Sequence, residues 1–197
     1  MKPGPTTDNL ISERVKEHIS IVAKLLADES YISVVTAVAR ELTKAIAAGN
    51  KLLFFGNGGS AADAQHLTAE LTGRFIKERR ALAAIALTTN TSSLTAIGND
   101  YSYDLVFARQ LEALGNSGDV AIGISTSGNS RNVVLAMEAA TKKQLVTVGM
   151  IGAGSGRLKP MIDHCIQIPS DVTARIQEAH ILTGHILCEL VENEFCR

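Results

Sequence analysis

The groups best suited to chemistry lie on two predicted helices. His66 and Glu70 stand four positions apart in HLTAE, so on a helix they share one face. That spacing suits an acid/base pair or two ligands of a metal ion. The segment ARIQEAHILTGHILCELVENEF carries Gln177, His180 and His185 on an otherwise apolar pattern, with Glu178 and Glu189 beside them. At about 100° per residue, Gln177 and His185 differ by roughly 80° in direction and can face one cleft two turns apart. His180 lies about 60° from Gln177 on the other side, so spacing does not choose between the histidines. Each of these features also has a plain structural reading. HLTAE is a common surface contact, and a lone histidine on an apolar helix is most often hydrogen-bonded to a carboxylate or a carbonyl. His18 and His164 have only that reading.

What raises the chemical reading is the segment just ahead of His66. Leu52–Phe55 reads as a buried strand, Gly56, Asn57, Gly58, Gly59 and Ser60 as a glycine-rich turn, and Ala61 onward as helix. Such a turn lets backbone approach a ligand closely, and the first helical N–H groups favour an anion. A second loop repeats the arrangement. VAIGISTSGNSRNVV places Ser125, Thr126, Ser127, Gly128, Asn129 and Ser130 between a strand and a helix start. Alone this loop is an ordinary turn with an N-cap. Two such elements in one small chain point to a phosphorylated ligand. Neither loop matches G-x-x-x-x-G-K-[ST] or G-x-G-x-x-G, which disfavours a nucleotide.

The elements that must position these residues follow a βαβ rhythm. Strands are expected at Lys51–Phe55, Leu82–Leu87, Val120–Ile124, Leu145–Met150 and His164–Ile168. Helices fall at about 61–76, 91–98 with 102–114, 130–142 and 171–195, and 151–163 is a short Gly-rich connection. Several strands are apolar without strict alternation, as in a parallel sheet covered on both faces. This is an open doubly wound α/β fold, with ligands at the carboxyl ends of the strands. Two amphipathic helices precede it. One starts at Asp8 or Ser12 and runs to about Ala27, with Ile11, Val15, Ile19, Val22 and Leu25 on its stripe. The other runs from Ile32 to Ala48, carries Val35, Val38, Leu42 and Ile46, and stops at Gly49-Asn50. They either fold back on the core or pack on another subunit. Residues 1–7, with two prolines and a glycine, read as a frayed leader.

Composition narrows the class further. A chain of 197 residues fits one domain, with the arm at about 8–48 and the α/β core at about 51–197. A net charge of −1 with no basic run argues against nucleic acid. Three cysteines without a CxxC suit a reducing cytoplasm. No apolar run suggests a membrane span or an export signal.

Taken together, GNGGSAADAQH…E, GISTSGNS and RIQEAH…H resemble the SIS (sugar isomerase) family, from about residue 10 onward. Within it they are similar to the phosphoheptose isomerases, which convert sedoheptulose 7-phosphate to D-glycero-D-manno-heptose 7-phosphate in heptose biosynthesis. The resemblance implies a flavodoxin-like five-stranded sheet in a homotetramer with sites shared between subunits. It implies phosphate binding by Ser60, Ser125, Thr126, Ser127 and Ser130. Asn57, Gly58, Arg74, Asp100 and Gln177 would contact the sugar, and His66, Glu70, Gln177 and His185 would hold a zinc ion. Glu70 and His185 would be the acid/base pair. Non-catalytic SIS tetramers that associate with the bacterial replication initiator have a similar framework. They lack the glutamate and the second histidine at the positions of Glu70 and His185, so the enzyme reading is preferred.

Overall fold

The structure is a computed structural model, and it describes residues 7–196. The leader expected over 1–7 falls almost wholly outside these residues. The chain opens with α1 (Thr7–Ala27) and α2 (Glu29–Ala47). Asp28 separates them: its carboxylate accepts from the N–H groups of Ser30 and Tyr31 and caps α2. Gly49, at φ +83°, takes the left-handed conformation that ends α2.

The sheet contains β1 (Leu52–Gly56), β2 (Ala84–Ala86), β3 (Val120–Ser125), β4 (Val146–Ile151) and β5 (His164–Gln167). All pairings are parallel and the order is β2-β1-β3-β4-β5, the expected doubly wound arrangement. Between the strands lie α3 (Gly59–Thr72), α4 (Thr91–Asp100), α5 (Ala108–Leu114) and α6 (Arg131–Lys142), and α7 (Thr173–Phe195) closes the chain. Successive strand residues feed opposite layers. Leu52 and Phe54 pack with α2, α3 and α7, while Leu53 and Phe55 pack with α5 and α6. Burial on both faces explains why β1, and β3 up to its last residue Ser125, are apolar at every position.

Some boundaries differ from expectation. β2 lies at the sheet edge and keeps only Ala84–Ala86 of the expected Leu82–Leu87. The helix expected over 102–114 is broken, with a 3₁₀ turn at Tyr103–Leu105 before α5. α3 stops at Thr72, short of 76, because Gly73 follows and the N–H groups of Phe75, Ile76 and Lys77 turn to the Glu192 carboxylate.

The arm contacts its own core through Ile21 and Leu25, which pack with Ile168, Ile176 and Ala179. His18 Nδ1 lies 2.8 Å from Glu178, and Arg175 donates to the Arg14 carbonyl. Val22 is half-buried, and the start of the α1 stripe faces outward: Ile11, Val15 and Ile19 are 60%, 55% and 59% exposed.

Candidate active site

Both glycine-bearing loops lie at the carboxyl end of the sheet. In the first, a side chain at Gly56 would meet the Ile124 carbonyl and Ser60 at 2.8 Å, so only glycine leaves room. Gly58 precedes α3 with φ +56° and offers no side-chain cap. Ser60 is buried over Gly56, and Gly56 pairs with Ile124, the residue before Ser125. In the second loop Ser125 Oγ donates to Ser130 Oγ at 3.0 Å, and the Asn129 N–H donates to Ser127 Oγ at 3.1 Å. Thr126 accepts the Gly152 N–H at its carbonyl. Neither α3 nor α6 has a side-chain cap on its first turn, so an anion can take that place.

Asn57 and Asn132 lock the loops together. Each amide donates to the other, at 2.8 and 2.9 Å, and the Tyr103 hydroxyl adds a 3.1 Å bond to Asn57. Asn132 was not expected to matter. Its position at the start of the helix expected after Ser130 was the only sequence clue, since polar residues there often serve loops.

His66, Glu70 and His185 meet where α3 packs on α7. His66 Nε2 is 2.9 Å from His185 Nε2 and 3.3 Å from Glu70 Oε1. One atom from each of the three residues falls within a 4.8 Å group. Two glycines allow this approach. A Cβ at Gly184 would strike Leu67 at 2.6 Å, and one at Gly59 would strike the Gln177 amide at 2.5 Å. Gln177 thus lies against the start of α3 and His185 against its later turns. The Phe75 ring stacks on the His185 imidazole, with centroids 5.4 Å apart.

The choice between the histidines is made here. His180 points to the other side, fully buried, with Nε2 3.3 Å from the Ile151 carbonyl. Burial pushes its imidazole down to about 4, the carbonyl offsetting part of that. Asp63, one turn before His66, is pushed up to about 6 by burial, and His66 partly opposes the shift. The remaining expected residues are not gathered in: Arg74 and Asp100 are exposed, and Asp100 accepts only from Asn99. Among the described residues no hydrogen bond joins either to the cluster.

Two glycine-bearing loops open uncapped helices at the carboxyl end of a doubly wound sheet, and a His–Glu–His cluster stands behind them. The chain belongs to the SIS domain family, whose profile matches residues 15–152. Within that family it belongs with the phosphoheptose isomerases. It is 49% identical over 187 residues to phosphoheptose isomerase 2 of Campylobacter jejuni, covering 95% of this chain and 93% of that one. It is 52% identical over 185 residues to the phosphoheptose isomerase of Akkermansia muciniphila, covering 93% and 98%. The structure of phosphoheptose isomerase GmhA from Neisseria gonorrhoeae superposes with a TM-score of 0.90 at 40% identity, covering 95% of this chain and all of that one.

Proposed function

We propose that this protein is an aldose–ketose isomerase that interconverts sedoheptulose 7-phosphate and D-glycero-D-manno-heptose 7-phosphate. The observation that carries this reading is the His66–Glu70–His185 cluster, two of whose members stand on the helix that the first glycine-rich loop opens. Ser60 and His66 are six residues apart on α3, about 9 Å along its axis. At roughly 1.2 Å per bond in an extended chain, the seven bonds from a C2 carbonyl to a phosphorus on O7 span about the same distance. A phosphate held by Ser60, Ser125, Thr126, Ser127 and Ser130 then leaves the carbonyl end beside His66, whose Nε2 is 3.3 Å from Glu70 Oε1.

The chemistry requires a proton to leave one carbon and another to return to its neighbour, through an enediolate. Glu70 serves as the carbon base. His185 moves protons between the two oxygens, and its imidazole is oriented by Phe75 and His66. Asn57 and Gln177 line the path between the phosphate loops and the reacting end.

The donor set also fits a divalent metal, zinc by preference. Metal–nitrogen bonds of about 2.0–2.1 Å put two tetrahedral ligand nitrogens roughly 3.4 Å apart. The 2.9 Å between the imidazoles therefore needs to open by only a few tenths of an ångström. His66, Glu70 and His185 would hold the ion, with Gln177 as a fourth ligand. When bound, it would polarise the substrate carbonyl as a Lewis acid.

We read the working form as a homotetramer in the cytoplasm. The exposed apolar stripe of α1 supports the assembly, and the exposure of Arg74 and Asp100 is consistent with sites completed by a neighbouring subunit. Among the described residues no helix is long and apolar enough to cross a membrane. The rival scaffold reading gives no reason for an acid/base cluster.

The test is conversion of sedoheptulose 7-phosphate in deuterated water, with and without chelator, alongside elemental analysis. Wild type should produce the aldose with solvent deuterium at C2, the carbon that receives the returning proton. Glu70→Gln should lose about 10²–10⁴-fold in rate with the fold intact. No product from metal-replete protein would leave the scaffold as the better account.

A further inference from the structure

We infer that Arg79 and Glu192 form a buried positioning pair that holds the Phe75 ring against His185 and fixes the last turn of α3, which carries Glu70. The inference rests on the isomerase reading for its consequence, but its geometry is independent of it. Glu192 is 1% exposed, and the Arg79 side chain is 0% exposed. Glu192 Oε1 accepts the Phe75 N–H at 2.9 Å, and Oε2 accepts the Ile76 and Lys77 N–H groups at 2.8 Å each. Three successive backbone donors beyond the end of α3 are thus gathered on one carboxylate.

Arg79 does the complementary work. Its Nη2 donates to the Glu70 carbonyl at 2.7 Å, and its Nη1 to the carbonyls of Leu71 at 2.9 Å and Gly73 at 2.8 Å. Glu70 and Leu71 lie in the final turn of α3, where helix carbonyls lack partners. The Arg79 Nε lies 3.4 Å from Glu192 Oε1, joining the two sets. Glu192 follows His185 by seven positions on α7, two turns along the same face. The pair thus connects every element of the cluster: α3 through the Glu70 backbone, the 73–80 connection through Phe75, and α7 through Glu192 itself. No group in this arrangement touches the place where substrate would react. Its effect is exerted through the placement of Phe75, Glu70 and His185.

Two variants separate positioning from simple support of the fold. Glu192→Gln keeps the size of the side chain but loses the charge and one acceptor. It should lower kcat by roughly 10- to 100-fold, the range expected for misplacing a reacting group by up to about 1 Å. KM should stay within a factor of about two, because the phosphate loops are untouched. Phe75→Leu should give a similar loss, and the double variant should be little worse than either, since both act through one contact.

The readout that does not depend on activity is the His185 ring resonance in protein labelled with ¹³C-histidine, recorded at equal metal content. Stacking under Phe75 displaces it, and both Glu192→Gln and Phe75→Leu should move it to a common new position while His164 stays in place. If Glu192→Gln does not fold, Arg79→Lys keeps the charge, loses the fork to the carbonyls, and answers the same question. Unchanged kcat per folded subunit with an unmoved His185 resonance would overturn the inference, even if thermal stability fell. Absence of isomerisation in wild type would overturn only the functional reading, and the ring resonance would still decide the positioning.

Discussion

Replacing Gly184 by alanine should separate catalysis from stability in this protein. Gly184 precedes His185 on α7, and a Cβ there would lie 2.6 and 2.7 Å from the Leu67 methyls and 3.2 Å from its Cγ. Carbon atoms prefer about 3.5–4.0 Å, so something must yield by roughly 1 Å. Leu67 is 2% exposed and packed in the core beside a small internal void lined by Val38, Leu42 and Leu187, so its methyls can take up only part of the displacement. The strain therefore falls on the spacing of α3 and α7. Leu67 follows His66 directly, so the same movement acts on the 2.9 Å contact between His66 and His185.

Two opposing terms set the stability change. Alanine is favoured over glycine inside a helix by about 1 kcal/mol, and overpacking a core costs typically about 1–3 kcal/mol. The net loss is then about 0–2 kcal/mol, a fall in Tm of up to about 8 °C for a chain of this size. Turnover should suffer more. A misplacement of up to 1 Å at the reacting groups costs as much as about 10²-fold, so kcat should fall roughly 10- to 100-fold with KM little changed. Steady-state kinetics and a thermal melt on the same sample make the comparison. Adding Leu67→Ala should recover part of kcat while lowering stability by less than the ~2–5 kcal/mol usual for buried Leu→Ala changes, because the overpacking is relieved at the same time. A Gly184→Ala protein that melts higher than wild type and turns over normally would refute the reasoning, since Leu67 would then have yielded without moving the helices.

Ser125 is 3% exposed and bonded to Ser130; Ser125→Ala should cost kcat/KM about 10- to 100-fold, from about 1.5–3 kcal/mol for a hydrogen bond to a charged phosphate, and a change below twofold would exclude it from the phosphate site. His180 is buried with its imidazole pushed down to about 4, so the unfolded chain takes up its proton first as pH falls. Stability should therefore drop between about pH 6.5 and pH 4, by about 3 kcal/mol in all, and denaturant titrations of His180→Gln should lack that part of the slope. The exposed α1 stripe should be covered in the assembled protein; light scattering of Ile11→Asp with Val15→Asp should show a smaller species than wild type, and a wild-type monomer at micromolar concentration would remove the tetramer.

Much of this molecule is legible in its sequence because the relevant physics is local. The strand–loop–helix units at Leu52–Ser60 and Val120–Ser130 need only neighbouring residues: glycines where backbone crowds or turns left-handed, and hydroxyls at the helix start. His66 and Glu70 share a face through helix geometry alone. The parallel sheet follows from apolar strands spaced by helices, and its order is that of the flavodoxin-like sheet the resemblance implied.

Other decisions depended on residues distant in the chain. Gln177 lies between His180 and His185 in direction, so the periodicity of α7 allowed either histidine to face α3. The rotation is set by Gly59 against Gln177 and Gly184 against Leu67, contacts that exist only once the helices pack. The end of α3 was misplaced for the same reason. The N–H groups of Phe75–Lys77 could have continued the helix, but a carboxylate 115 to 117 positions away takes them. Nothing in the sequence marks Arg79 or Glu192, yet folding buries both side chains, and buried charges persist only when paired and hydrogen-bonded. Local periodicity fixes which residues can share a face. Close packing of α3 on α7, and the need to satisfy every polar group trapped between them, decides which of those faces becomes the site.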